Sequence, residues 1–143
     1  MAYMAAALRQ AVIERAQGRC EYCQTWQAIV VEMEVDHVLP ESVGGLTEAG
    51  NLCLTCVGCN GFKSAFQSAV DPETGDSAPL FNPRSDRWEE HFKWSDDGTH
   101  LVGVTSVGRA TVERLRMNRP RMVEARRLWV QAGWHPPHEQ ARE

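Results

Sequence analysis

An α+β fold is predicted for this chain of 143 residues by two features of its sequence. Residues 28–66 read as strand, loop, strand and helix, with one Cys-x-x-Cys hook ahead of the first strand and another at the entry to the helix. Helical periodicity lies on either side of that block. Hydrophobic residues make up 43% of the chain, enough for a core, so wholesale disorder is not expected.

The elements follow in order. Residues 5–17 predict a helix with Ala5, Leu8, Val12 and Ala16 as its apolar stripe and Gly18 as its stop. "GRCEYC" makes a tight turn. Residues 28–39, "AIVVEMEVDHVL", are rich in β-branched side chains and predict a strand, entered as a hairpin from Trp26 and ended by Pro40. "ESVGGLTEAG" is a glycine-bearing loop, "NLCLTC" (51–56) a short second strand, and "CVGCNGFKSAFQSA" a turn running into a helix. Residues 71–79, "DPETGDSAP", read as a polar connector. Asp86 and Glu89 have the spacing of a capped short helix, and residues 92–104 read as a hairpin turning at Asp97-Gly98. Thr105 or Ser106 then caps a helix to about Met117 that buries Val107, Thr111 and Leu115. Asn118 caps the last helix, with Pro120 in its first turn and Gly133 beyond its end. Residues 1–70 are expected to form a core unit, and 71–143 an extension packed on it, with basic helices at 106–133.

No run approaches the roughly 18 apolar residues of a membrane span, and "MAYMAAALRQ" lacks the regions of a secretory signal. A cytoplasmic location and no membrane partner are the expectation. The five cysteines then suit metal ligation or core packing better than disulfides. A formal charge of −4 speaks against a nucleic-acid partner, but the charge is unevenly placed. Cys20 to Phe62 holds six acids and no Lys or Arg, whereas residues 109–127 hold seven arginines against Glu113 and Glu124.

Cys20, Cys23, Cys56 and Cys59 offer four thiolates from two turns, the donor set of a tetrahedral zinc. Buried free cysteines are the alternative. Cys53 also stands three before Cys56, but Cys56/Cys59 is the chosen hook and Cys53 a core residue of the strand. Four thiolates leave no position for water, so this zinc is structural.

Asp36 and His37 lie between the hooks. Phosphodiester hydrolysis needs an activated water and a divalent cation. An imidazole of ordinary pKa, about 6.5, accepts a proton at neutral pH, and a carboxylate with an amide can hold a hydrated Mg2+. Adjacent residues on a regular strand face opposite ways, so both serve one site only where the strand twists or ends, as Pro40 allows. Asn60, directly after Cys59, would be placed by the hook itself. Taken singly, Asp36-His37 reads as a surface pair, Asn51 as a turn residue and Asn60 as a helix cap. Their joint spacing between two hooks favours a site.

"CEYC…VDHVLPESVGGLTEAGNLCLTCVGCNGFKS" resembles the HNH endonuclease family in its ββα-metal form with zinc hooks, over about residues 18–66. The resemblance implies His37 as general base, Asp36 as ligand of the catalytic cation, and Asn51 as the residue holding the loop that presents the histidine. Asn60 occupies the third motif position, an H-N-N version for which Mg2+ or Mn2+ is expected. It implies cleavage to 5′-phosphate and 3′-hydroxyl ends. Lys63 stands where family members often carry a basic residue, suggesting a phosphate contact, with a solvated helix lysine as the alternative. The C-terminal half more weakly resembles extensions that follow such cores.

In that half, Met122, Ala125, Leu128, Trp129 and Ala132 share one helical face, with Arg119, Arg126 and Arg127 off it. Arg109 and Arg116 lie off the Val107/Thr111/Leu115 stripe. An acidic core must still approach a polyanion, so these arginines are expected to meet phosphates. Trp88, Trp94, Trp129 and Trp134 read as core, and His91, His100, His135 and His138 match no ligand spacing. The expected activity is metal-dependent cleavage of DNA, with RNA as an alternative substrate, by a monomer or a homodimer. A non-catalytic zinc-stabilised nucleic-acid-binding or interaction module is the second reading, and service within a larger assembly the third.

Overall fold

The computed structural model describes residues 4–137, so His138 lies outside the described part. It is α+β throughout, with three two-stranded antiparallel sheets set among helices. Helix α1 (Ala6–Arg15) buries Val12 and rests Leu8 and Ile13 against the core. The first hook follows. Instead of a strand from residue 28, Gln27–Val30 make one helical turn (α2), and strand β1 spans only Glu34–His37. The reason is the partner. β2 (Leu52–Thr55) has four residues before the second hook and pairs only Glu34↔Thr55 through His37↔Leu52. The β-branched run before it has no ladder to join, and Val31 is left 74% exposed.

Cys56 caps helix α3 (Val57–Lys63), its sulfur accepting from the Cys59 N–H. The segment expected to be a connector is instead a hairpin, β3 (Ser68–Val70) with β4 (Ser77–Pro79). Its turn carries Asp71, buried, which accepts two hydrogen bonds from Arg109 at 3.0 and 2.8 Å. Helix α4 (Trp88–His91) lacks the expected cap, because the Asp86 carboxylate accepts from the Asn82 N–H in the preceding turn. The hairpin β5 (Phe92–Trp94) with β6 (Leu101–Gly103) follows. Thr105 caps α5 (Ser106–Arg114) through the Gly108 N–H, and Thr111 and Leu115 are buried. Helix α6 (Pro120–Gln131) starts with Arg119, not Asn118, at its cap. Asn118 instead pairs its amide with both backbone groups of Leu101, each at 2.8 Å, like a further ladder rung.

The core runs through both halves: Val12, Tyr22, Leu52 and Leu54 form one cluster with Phe81, Phe92, Leu101, Leu115 and Met117. Tyr22, between the first two cysteines, accepts from the Trp88 indole at 2.8 Å through its carbonyl. Glu21 beside it forms an ion pair with Arg84 and accepts from the Leu54 N–H. The extension therefore grips the first hook directly. Trp88 packs at a tilt against both Phe92 and Trp94, while Trp134 is half exposed.

Candidate active site

The four hook cysteines are buried, and their sulfurs lie within 4.8 Å of one another. Tetrahedral zinc with bonds near 2.3 Å needs sulfurs about 3.8 Å apart, and Cys23 and Cys56 stand at 3.7 Å. Each hook turns the N–H of its second cysteine onto the sulfur of its first. Burial pushes the Cys20 thiol well up, bonding to Cys20 and Cys23 raises Cys59, and Cys23 is held well down by the neighbouring sulfurs. Four sulfurs in one dry pocket cannot all ionise unless a dication neutralises them, so the donor set fits zinc. Cys53 stays outside the set; burial raises its thiol to about 12, and it faces the Tyr22 hydroxyl.

His37 is the last residue of β1, the point where strand alternation ceases to bind its side chain. Its Nε2 lies 2.8 Å from the Thr47 hydroxyl, and its Nδ1 lies 3.9 Å from Glu41 Oε1, too far for a hydrogen bond. Asn51 ties the intervening loop shut: its Oδ1 accepts from Leu39 N–H at 2.8 Å, and its Nδ2 donates to the carbonyls of Leu39 and Leu46 at 3.0 and 2.9 Å. The chain passes so close to itself there that a Cβ on Gly45 would fall 1.7 Å from the Leu39 carbonyl oxygen, so only glycine fits. Thr47 is a site residue that sequence reasoning missed. An isolated threonine in a loop gives no spacing signal, and its place depends on how Asn51 closes the loop.

Glu34 and Asp36 alternate on β1 and share a face, while Asn60 and Lys63 stand one turn apart on α3. The two pairs meet: Asn60 Nδ2 donates to Glu34 Oε1 at 2.8 Å, and Lys63 Nζ donates to Asp36 Oδ2 at 3.2 Å and to the His37 carbonyl at 3.4 Å. Lys63 is only 3% exposed, so it is neither a solvated lysine nor free to reach a phosphate. The Oδ1 atoms of Asp36 and Asn60 receive no hydrogen bond among the described residues. Oxygens of this kind are the donors that a hydrated Mg2+ takes, but only Asn60 of the two residues lines the cleft that holds His37. His37 and Asn60 line one open cleft with Arg9, Glu34, Glu41 and Val57.

The arginines separate into groups. Arg126 is not on an exposed face but fully buried, donating to the carbonyls of Thr99 and Met117 and to Asn118 Oδ1. The exposed positions expected of α6's apolar face are Leu128 and Ala132, because the helix turns its Arg126 side inward. Arg109 is held by Asp71 and Glu73, and Arg127 by Glu124. Arg116 and Arg119 pair with no acid among the described residues and lie over the Phe62 ring.

A family model described as HNH endonuclease matches residues 20–66, the segment from the first hook through α3. That family's general activity is nucleic-acid cleavage, although some HNH domains are non-catalytic. No curated protein and no solved structure matches the chain. Among the described residues no helix is long and apolar enough to cross a membrane.

Proposed function

We propose that this protein is a cation-dependent endonuclease cutting DNA, with His37 as general base and Asp36 and Asn60 as the protein ligands of a hard divalent cation, Mg2+ or Mn2+. The observation that carries this is His37 anchored through Nε2 to Thr47 at the rim of a cleft it shares with Asn60. When Nε2 keeps its hydrogen and donates it to Thr47, Nδ1 holds a free lone pair. That atom takes the proton of the attacking water, whose oxygen bonds to phosphorus as the bond to the 3′ oxygen breaks; the departing oxygen takes a proton from solvent water, giving 5′-phosphate and 3′-hydroxyl ends. The cation supplies neutralisation of the phosphate charge and of the departing oxygen. Asn51 keeps the loop closed, the zinc hook sets where α3 begins and so where Asn60 stands on it, and Lys63 holds one oxygen of Asp36. Of the five arginines expected to meet phosphates, Arg116 and Arg119 are retained in this reading, since Arg109, Arg126 and Arg127 are engaged within the chain.

Supercoiled plasmid incubated with zinc-loaded protein, with and without Mg2+ or Mn2+, tests the reading. Cleavage should need the cation and should fall about 10²–10⁴-fold in His37→Ala. A folded wild type inert on plasmid, single-stranded DNA and RNA under every cation would leave the second reading, a non-catalytic zinc-stabilised binding module. The Lys63–Asp36 pair favours that one, since a buried lysine can hold a carboxylate for structure alone.

A further inference from the structure

Helix α3 has a second functional flank. Gly58 and Phe62 stand one turn apart on it, away from the Asn60 side. The Arg119 guanidinium lies over Gly58 so closely that a Cβ there would come within 2.3 Å of its Nη2. Arg119 and Arg116 lie over the Phe62 ring at 5.4 and 5.1 Å, and Arg114 over Phe66 at 4.3 Å. None of these three arginines forms an ion pair among the described residues, although Arg84, Arg87, Arg109 and Arg127 all do. Phe66 is half exposed and borders an open cleft with Ser68, Val70, Arg114 and Arg116. Three like charges have been gathered on one surface; Glu113 lines the same cleft but forms no ion pair with them among the described residues.

Stacking on phenyl rings supplies what such a cluster needs to bind an anion. It restrains each guanidinium beside its ring and leaves it without a carboxylate partner, although Arg119 Nη1 donates to the Arg116 carbonyl at 3.1 Å. Side chains ordered in advance lose less rotamer freedom on binding. Gly58 has a reason in the same terms, since a larger residue would displace Arg119 from the helix.

We propose that Arg114, Arg116 and Arg119, ordered on Phe62 and Phe66, form a track for the phosphodiester backbone of duplex DNA beside the catalytic cleft. This deepens the nuclease reading and rests on it for the identity of the polyanion. A helix is about 10–12 Å wide, and duplex DNA carries a charge about every 1.7 Å of axis. Track and cleft therefore lie within the footprint of one duplex. The contacts are to phosphate, so the track carries no base preference.

Fluorescence anisotropy of two labelled duplexes of unrelated sequence, with Ca2+ replacing Mg2+ and zinc retained, tests it. In Arg114→Gln/Arg116→Gln/Arg119→Gln the slope of log Kobs against log salt should fall in magnitude by about 2–3, at about 0.9 per lost phosphate contact. Affinity at moderate salt should fall at least tenfold, equally for both sequences, while Arg87→Gln leaves both quantities unchanged. Zinc content and the far-ultraviolet spectrum check folding, and the single exposed variant Arg116→Gln should lower the slope by about 1 if the triple variant is unstable. An unchanged slope with affinity within twofold overturns the track and leaves the nuclease reading intact. Arginine-dependent duplex binding by a protein that never cleaves overturns the nuclease reading and keeps the track. Arginine-dependent binding to RNA alone overturns the duplex DNA assignment.

Discussion

The Nε2 of His37 and the hydroxyl of Thr47 lie 2.8 Å apart across a loop tied shut by Asn51. A histidine can act as a base only through the nitrogen whose hydrogen is absent, so Nδ1 is the reactive atom when Nε2 donates to Thr47. Thr47→Val removes the partner at nearly constant shape, and Thr47→Ser keeps it. Cleavage should fall about tenfold in the valine variant, the scale of one lost hydrogen bond, and recover in the serine one. Imidazole ¹⁵N shifts give a readout independent of turnover: one tautomer with hydrogen on Nε2 in the wild type, a mixture in Thr47→Val. A single tautomer and full activity in the valine variant would dismiss the role.

Removal of zinc should unfold far more than the hooks. Tyr22 and Glu21 sit between the first two cysteines and hold Trp88 and Arg84 of the extension. A chelator, or Cys56→Ser, should therefore abolish the cooperative thermal transition of the whole chain, because metal binding and folding are one equilibrium here. Cys53→Ala should retain a full equivalent of zinc. Calorimetry with metal analysis decides, and an extension that melts unchanged without zinc would contradict the shared core.

Much of this arrangement was legible in the sequence wherever local chemistry sets geometry. The hooks, β2, α3, the Thr105 cap and the turn at Gly98 all follow from spacing and turn residues. What failed depended on partners distant in sequence. The β-branched run at 28–33 is not strand because β2 is too short to pair with it. Asn118 has cap chemistry but binds Leu101, and Asp86 has it but binds Asn82. Lys63, Arg109 and Arg126 look like surface cations until Asp36, Asp71 and the Thr99 carbonyl are folded against them. In each case a charge or amide found an internal partner that periodicity cannot reveal.

Glu34 should matter to the cation through Asn60. Its carboxylate holds the amide nitrogen, which turns Asn60 Oδ1 the other way. Glu34→Ala frees the amide to rotate, and the Mg2+ concentration for half-maximal activity should rise about fivefold, one hydrogen bond's worth. Glu34→Gln retains an acceptor and should stay near wild type. Mn2+ titration by calorimetry separates this from a loss of catalysis, and equal Mn2+ affinity in all three proteins would refute it.

Asp36→Asn is a poor test of catalysis taken alone. It leaves the Lys63 ammonium buried without its carboxylate, a situation that costs about 3–5 kcal/mol. The single variant should be strongly destabilised in denaturant titration, and Asp36→Asn/Lys63→Met should recover most of the loss. Activity should be absent from both. Recovery of stability without activity separates the two functions of Asp36, whereas a fully stable Asp36→Asn would show that Lys63 needs no partner.

Acid should weaken the extension in a window set by His135. The ring is buried against Trp94 and Trp129, its Nε2 faces the Gly98 carbonyl at 3.1 Å, and burial, with Arg126 nearby, lowers its pKa to about 4. The unfolded chain takes up this proton near the ordinary value of about 6.5. Between the two values the unfolded state binds more protons, so this contribution is whole above about 6.5 and is lost as pH falls toward 4. Asp71, held at about 2 mainly by hydrogen bonds from Arg109, adds a second loss as pH falls from about 4 toward 2. His135→Gln can still donate to the Gly98 carbonyl but does not titrate. Acid also strips zinc from thiolates, but it does so in both proteins and cancels in their difference. The melting temperature of wild type should therefore drop more than that of His135→Gln between pH 7.5 and about 5, and parallel curves would show that His135 charges as readily folded as unfolded.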